Sequence, residues 1–278
     1  MTEPAPTPTP VTPSSVTPTR DPRISYDAGT YALRLGDDAL VLAQRMGEWV
    51  ASAPQLEEDV ALANIALDLL GQARPLLSYA GSLLSGADGA ARSEDELAYL
   101  RDERDFTNVQ IVELADNGDF GRCVARLLVF SAWQRELYAS LAGASDDTLA
   151  AVAAKAVKEA AYHRDHATQW VLRLGDGTAE SHQRMQAAVD EVWPYVEELF
   201  EPDAVTSSLA AVGVAVDPAS LRDPVLRYVS AVLERATLAV PTTRVRHSGG
   251  RRGIHTEAMG YLLAELQHVA RSHPGASW

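Results

Sequence analysis

Residues 152–170 read VAAKAVKEAAYHRDHATQW, and the spacing of their side chains decides the fold class. Six of these residues recur at intervals of three or four and therefore share one face of a helix: Val152, Ala156, Glu159, His163, His166 and Trp170. Apolar residues recur at the same helical spacing from about residue 30 to the C-terminus, and the alternation typical of strands is missing. The sequence therefore predicts an all-α chain.

Prolines, glycines and capping residues set the expected ends of eight helices. We expect them at about residues 30–51, 55–84, 93–114, 120–141, 146–174, 179–200, 218–240 and 256–271, with a kink at Pro75. Long helices joined by short turns favour antiparallel neighbours, so a single helical bundle is expected over residues 26–278. Residues 241–253 are expected to form a mobile basic loop, because they contain Gly249, Gly250 and four arginines: Arg244, Arg246, Arg251 and Arg252.

The N-terminal segment has a different composition from the rest of the chain. Its first 22 residues hold seven of the 15 prolines and six threonines, which cannot bury enough apolar surface to fold. We assign residues 1–25 to a disordered tail. This tail lacks the apolar centre of a secretory signal, and the whole sequence contains no uninterrupted apolar run of about 18 residues. We therefore expect a soluble, cytoplasmic protein without a membrane partner.

Charge and cysteine content exclude several function classes. A formal net charge of -14 disfavours binding to nucleic acid or to an anionic membrane. The single cysteine, Cys123, excludes an internal disulfide and a cysteine-ligated cluster, and it has no histidine beside it that would activate a nucleophile. Neither a dinucleotide-binding glycine motif nor a phosphate-binding loop motif is present.

A helical bundle can hold two metal ions when two helices each supply a Glu and two others each supply Glu-x-x-His. Residues equidistant from a connecting turn lie at the same height in an antiparallel pair. Counting from Pro54 puts Asp68 opposite about residue 40, near Asp37 and Asp38. Counting from about residue 145 puts Glu159 level with Ser131.

The expected ligand positions are therefore occupied by Asp37 or Asp38, Asp68 with Gly71, Ser131, and Glu159 with Tyr162. Gly71 has no donor atom, Ser131 provides no anionic oxygen, and Tyr162 is a poor replacement for imidazole. The sequence predicts a degenerate di-iron site, with no metal ligand and no catalytic residue in this chain.

The helix of residues 146–174 leaves two alternatives open. Glu159, His163 and His166 share a face and could hold a metal, although a Glu–His pair four residues apart is also an ordinary helical hydrogen bond, and a histidine at an interface between subunits is equally ordinary. The two lysines of the chain, Lys155 and Lys158, flank Glu159. They either neutralise buried carboxylates where iron would otherwise lie or form a solvated salt bridge. Large aromatic residues are expected in the core or an interface rather than in a substrate cage: Trp133, Trp170, Trp193 and Trp278.

Six stretches resemble the C subunits of the phenylacetyl-CoA epoxidases, also called ring 1,2-phenylacetyl-CoA monooxygenases. They are YALRLGDD at 31–38, QRMGEW at 44–49, ALANIALDLLGQAR at 61–74, RDER at 101–104, KAVKEAAYH at 155–163 and HTE at 255–257. The resemblance covers about residues 31–278. It implies a ferritin-like helical bundle with additional C-terminal helices, within a bacterial multicomponent oxygenase that epoxidises phenylacetyl-CoA during phenylacetate breakdown.

The resemblance also implies where the cofactors reside. The catalytic di-iron centre belongs to a sister subunit, and electrons come from NADPH through a separate reductase with FAD and an iron–sulfur cluster. This chain would then be a non-catalytic structural subunit without cofactors of its own, in a hetero-oligomer with that sister and the other subunits. The alternative is a metal-binding ferritin-like oxidase using Glu159, His163 and nearby carboxylates, and iron storage fails on the same residues.

The C-terminal helix is the expected contact with the sister subunit. Apolar residues there are expected to be exposed: Tyr261, Leu262 and Trp278. The arginines at 251 and 252 are expected to meet an acidic partner surface or, less favoured, coenzyme A phosphates.

Overall fold

The computed structural model describes residues 21–86 and 89–276. Within those ranges the chain forms nine α-helices, several short 3₁₀ turns and no β-strand. The α-helices are α1 Pro22–Gly47, α2 Leu56–Leu83, α3 Glu94–Tyr99, α4 Phe120–Leu141, α5 Asp147–Gly175, α6 Ala179–Val192, α7 Ala204–Ala211, α8 Arg222–Arg235 and α9 Glu257–Ser272. The predicted all-α class is confirmed.

Helix α1 begins earlier than expected from the sequence. Asp21 caps it by accepting a hydrogen bond of 2.8 Å from the Arg23 amide, and Pro22 occupies the first helical position, where its missing N–H costs nothing. Residues 22–25, which we assigned to the tail, are therefore helical. The rest of that tail, residues 1–20, lies outside the described part of the chain.

The helix expected at residues 93–114 is wrong beyond residue 99. Backbone N–H groups in this stretch donate to buried carboxylates instead of to helical carbonyls: Thr107 to Asp37 at 2.9 Å, Val109 to Asp38 at 2.8 Å and Gln110 to Glu198 at 2.6 Å. Because an N–H that bonds a side chain is lost to the helical ladder, only two 3₁₀ turns form here, at Glu103–Asp105 and Gln110–Glu113.

Two later helices are also shorter than expected, and one was missed. Helix α6 ends at Val192 because Trp193-Pro194 converts the chain into 3₁₀ turns, and α8 spans only Arg222–Arg235. Helix α7, eight residues long, lies where no helix was expected. It is held by a capping box between Asp203 and Thr206.

The core consists of two antiparallel helix pairs, α1 with α2 and α4 with α5. Gly36 allows the first pair to approach closely, since a Cβ there would lie 2.8 Å from Cδ2 of Leu77. Helix α2 also packs against α5. Helices α6 and α8 pack on α4, and α9 packs on α3 and α1. This arrangement turns one face of α2 toward the inside of the bundle and leaves another uncovered.

Helix α2 is apolar on both faces. By length and composition it is the one helix among the described residues that would suit a membrane span, although Leu62, Ile65 and Leu69 are fully buried against other helices. Four large apolar side chains are exposed on it, by 38% to 75%: Leu56, Val60, Leu67 and Leu70. We call these four residues the α2 apolar face.

Candidate functional site

Asp37 and Asp38 of α1 lie in the core, and each forms an ion pair with an arginine. Asp37 is fully buried and is bound by the Arg101 guanidinium, by the Thr107 amide at 2.9 Å and by the Thr107 hydroxyl at 3.0 Å. Asp38 accepts hydrogen bonds of 2.8 and 3.0 Å from Arg251. Burial raises the pKa of Asp38, and the charge of Arg251 opposes this effect. Both carboxylates are therefore already engaged by guanidinium and backbone donors.

The residues expected at the remaining ligand heights are mostly displaced from the bundle interior. Tyr162 is 53% exposed on the outside of α5, so its interior placement is wrong. Ser131 is buried, but its hydroxyl donates to the Leu127 carbonyl of its own helix at 2.5 Å. Gly71 is followed by the residue that does face inward, Gln72, which is 2% exposed. Neighbouring residues of a helix differ in direction by about 100°. The predicted height along α2 was therefore close to the inward position, but the inward residue at that height is Gln72 and not Gly71.

Five side chains from three helices form what we call the mid-bundle cluster: Asp68 and Gln72 of α2, Gln134 of α4, and Glu159 and His163 of α5. Gln72 donates to Glu159 Oε2 at 2.9 Å and accepts from Gln134 at 3.0 Å. Glu159 Oε1 lies 3.2 Å from Nζ of Lys155. Both oxygens of Glu159 are therefore engaged by nitrogen donors.

Lys155 approaches the cluster from solvent. Its side chain is 70% exposed while that of Glu159 is 16% exposed, so the lysine end of the pair lies in solvent and the glutamate end is mostly buried. The exposed end gives the interaction the character of a solvated i, i+4 salt bridge, and Lys158 is exposed as well. The buried oxygen of Glu159 accepts a hydrogen bond from the neutral amide of Gln72 and is not paired with a second ammonium group.

The two histidines of α5 each face a different acid on α2. His163 is buried, and its Nε2 lies 3.1 Å from Oδ2 of Asp68. Burial lowers the pKa of His163, with the Asp68 carboxylate acting in the opposite direction. Nε2 of His166 lies 3.2 Å from Oε2 of Glu58, but these atoms are not aligned for a hydrogen bond.

The arrangement does not suit the di-iron centre of a ferritin-like bundle. Glu159, His163 and His166 are directed at three separate residues of α2, so they do not converge on one point. Across residues 21–86 and 89–276, no three His, Cys, Asp or Glu side chains group closely enough to hold a metal ion. Two neutral amides occupy positions where bridging carboxylates would be required: Gln72, which bonds Glu159, and Gln134, which bonds Gln72.

The segment expected to be a mobile basic loop is anchored at its C-terminal end. Arg251 is paired with Asp38 and also donates to the Thr107 carbonyl at 2.9 Å. The amides of Gly249 and Gly250 both donate to Glu198 at 2.8 Å. Arg251 is therefore tied to the core rather than a free contact for a partner or for coenzyme A, whereas Arg252 is exposed.

The C-terminal helix is less exposed than expected from the sequence. Tyr261 is 69% exposed, but Leu262 is 1% exposed and Met259 is fully buried. Trp278 lies outside the described residues. Deleting residues 255–278 would expose the core, so a truncation would report on folding before it reported on a partner.

A second buried polar group, centred on Glu113, was missed because its members are far apart in sequence. Glu113 is fully buried and accepts hydrogen bonds from the Thr256 amide at 2.6 Å and from Asn108 at 3.1 Å. His255 contacts it through Nδ1 at 2.9 Å, and Nε2 of the same ring lies 3.0 Å from the Phe106 carbonyl. Both ring nitrogens face acceptors, so only the doubly protonated imidazolium satisfies both.

The stability that His255 contributes should fall as pH rises. Burial lowers the pKa of this histidine, but the hydrogen bond and the charge of Glu113 outweigh it, and the net pKa lies above the ordinary value. The contribution is thus complete below the unfolded-state pKa of about 6.5 and is lost as pH rises through the folded-state pKa. The destabilisation caused by His255→Gln is expected to be larger at about pH 6 than at about pH 9, measured by urea unfolding.

The exposed His268 provides the matched control, because His268→Gln alters a ring at the surface of α9. Its effect on unfolding should be small at both pH values. A destabilisation by His255→Gln that stays constant or grows toward high pH would show that the imidazolium is not the form that stabilises the fold.

Known proteins match the chain over nearly its whole length. A family model described as "Phenylacetic acid catabolic protein" matches residues 17–278. A protein of Escherichia coli (strain K12), named as the C subunit of 1,2-phenylacetyl-CoA epoxidase, is 47% identical over 248 residues, which are 89% of this chain and 98% of that protein.

Proposed function

The chain belongs to the phenylacetic acid catabolic protein family, and from this premise we propose that it is a non-catalytic structural subunit of an oxygenase that epoxidises phenylacetyl-CoA. The observation that carries the proposal is the mid-bundle cluster. Gln72 fixes Glu159 by a hydrogen bond, and Gln134 in turn fixes Gln72, at the level where a di-iron bundle needs carboxylates and imidazoles. The cluster therefore stabilises the contact between α2, α4 and α5 and performs no redox chemistry.

In this proposal the cofactors belong to partner proteins. The di-iron centre lies in a catalytic sister subunit, and a separate reductase with FAD and an iron–sulfur cluster delivers electrons from NADPH. This chain binds and stabilises the sister within a cytoplasmic hetero-oligomer. The packing of α2 in the bundle supports a non-membrane location, since the most buried side of that helix contacts α1 and α5.

We propose the α2 apolar face as the surface that binds the sister subunit. Leu56 and Leu67 are 75% and 64% exposed, which is unusual for leucines on the same face of one helix in a monomer. The 47%-identical relative is named as a subunit, so it works beside other chains. The other candidate, the C-terminal helix, offers only two large exposed apolar residues, Tyr261 and Val269, at 69% and 52% exposure.

Glu159→Ala should leave turnover of the assembled complex within about tenfold of the wild type, because Glu159 acts on packing and not on the reacting atoms. Assembly is measured by size-exclusion chromatography, and turnover is normalised to the assembled fraction. Glu159→Gln is the matched variant, since it keeps a side chain of the same size that can bond Gln72. Elemental analysis of the isolated chain after growth in iron-rich medium is expected to find far less than one iron per chain.

The alternative, an oxidase using Glu159 and His163, makes the opposite predictions. About two irons per isolated chain would overturn the structural role. So would a fully assembled Glu159→Ala complex whose turnover has fallen by more than about a thousandfold. No contact in the mid-bundle cluster favours this alternative, since His163 is directed at Asp68 and Glu159 at Gln72 and Lys155.

A further inference from the structure

An aromatic cleft lies between the α1–α2 connection, the start of α4, and helices α5 and α6. Its volume is about 350 Å³, within the range of about 300 to 1,000 Å³ of small-molecule sites. The lining includes three aromatic rings, the buried Met185 and the exposed Ser52 at the mouth. We call it the Trp49–Trp170 cleft.

The three rings form a continuous wall. Phe120 stands edge-to-face with Trp49, at a centroid distance of 5.6 Å, and with Trp170, at 4.9 Å. The indole N–H of Trp49 donates to Asp116 at 2.9 Å, so this ring offers only apolar surface to a ligand. Aromatic rings prefer such edge and offset contacts with a further ring. The wall is thus suited to a planar aromatic group.

The polar groups of the cleft determine which ligand group can bind beside the rings. Asp119 is satisfied, since Oδ1 accepts from the Gly121 amide at 2.8 Å and Oδ2 from Nε of Arg184 at 3.2 Å. Nη1 of Arg184 lies 3.9 Å from Glu180, beyond hydrogen-bond distance, so among the described residues Arg184 donates a side-chain hydrogen bond only through Nε. Arg184 is the one cationic residue in the lining and is 53% exposed. The remaining donors of Arg184 therefore suit an oxygen acceptor, and a carboxylate is an acceptor that a guanidinium binds more strongly than a neutral one.

We infer that the Trp49–Trp170 cleft binds a small aromatic carboxylate, with the ring against Phe120 and Trp170 and the carboxylate at Arg184. This gives the chain a ligand-binding site of its own, lined by none of the residues of the mid-bundle cluster or of the α2 apolar face. The inference does not depend on the proposed structural role, because it rests on the cleft alone.

Phenylacetate is the probe, measured on the full-length chain by saturation-transfer NMR and by quenching of tryptophan fluorescence. A ligand of this size is expected to bind with a dissociation constant on the order of 1 mM. Arg184→Gln should weaken phenylacetate about tenfold and leave the neutral phenylacetamide unchanged, because the arginine contacts only the carboxylate. A phenylacetyl thioester, which lacks the carboxylate, should bind like the amide.

Ser52→Trp is the blocking variant, since it adds an indole at the mouth of the cleft without removing a core side chain. It should abolish binding while the thermal unfolding midpoint is unchanged. Arg227→Gln, the same change at an exposed arginine of α8, is the control and should bind phenylacetate like the wild type.

Three outcomes would overturn the inference. The first is no saturation transfer at about 10 mM phenylacetate. The second is equal affinity in the wild type, Arg184→Gln and Ser52→Trp. The third is that Ser52→Trp prevents assembly with other subunits yet leaves phenylacetate binding intact, which would identify the cleft as a protein contact.

Discussion

Replacing Asp37 by asparagine should lower the free energy of unfolding by about 3–5 kcal/mol, the range measured when one partner of a buried ion pair is removed. Asp37 is fully buried, and the side chain of its partner Arg101 is 5% exposed. Asparagine keeps the hydrogen bonds from Thr107 but leaves the Arg101 guanidinium in the core without a counter-charge. Urea denaturation monitored by circular dichroism measures the change.

Asp223→Asn is the matched control, because it makes the same chemical change at a side chain that is 83% exposed and 4.0 Å from Arg222. Its unfolding midpoint should stay close to that of the wild type. If Asp37→Asn were no more damaging than Asp223→Asn, the Asp37–Arg101 pair would contribute nothing to the fold, and Asp37 would again be available as a functional carboxylate.

Leu67→Glu on the α2 apolar face should raise the dissociation constant for the sister subunit by about a hundredfold, as expected when a charge enters the centre of an apolar interface. Leu67 is 64% exposed in the isolated chain, so the variant should fold normally. Co-purification of the two subunits, followed by titration of the separated chains, measures the effect.

Val269→Glu on α9 discriminates between the two candidate interfaces. Val269 is 52% exposed, similar to Leu67, and lies on the helix that the sequence predicts to contact the sister subunit. The same substitution to glutamate is made at both positions. Normal assembly of Val269→Glu with failed assembly of Leu67→Glu supports the α2 apolar face. The reverse pattern would return the interface to the C-terminal helix.

The local features of the fold could be predicted from sequence because helical spacing is a property of neighbouring residues. Helix α5 and its inward residues, Glu159 and His163, followed directly from it. Their partners on α2, Gln72 and Asp68, could not be predicted in this way. Height in a bundle places a residue along the helix axis only, and rotation about that axis decides whether Gly71 or Gln72 faces inward.

The connections between distant segments could not be predicted at all. Residues 100–113 have helix-compatible composition, but their amides bond carboxylates from α1 and from Glu198, and no periodicity reports such contacts. Arg251 was assigned to a mobile loop because arginine-rich, glycine-containing segments are usually solvated. Its partner, Asp38, lies 213 residues earlier in the chain.

That separation has a consequence for synthesis on the ribosome. At roughly 5–20 residues per second, about 10–40 s pass between translation of Asp38 and translation of Arg251. During this interval the Asp38 carboxylate has no Arg251 guanidinium to pair with. Asp38 must therefore stay hydrated or be covered by a chaperone. Glu113 likewise cannot pair with His255 until that residue has been translated. These two buried pairs can therefore form only when the last tenth of the polypeptide has emerged, and a nascent chain stalled before residue 250 should be a substrate for proteases.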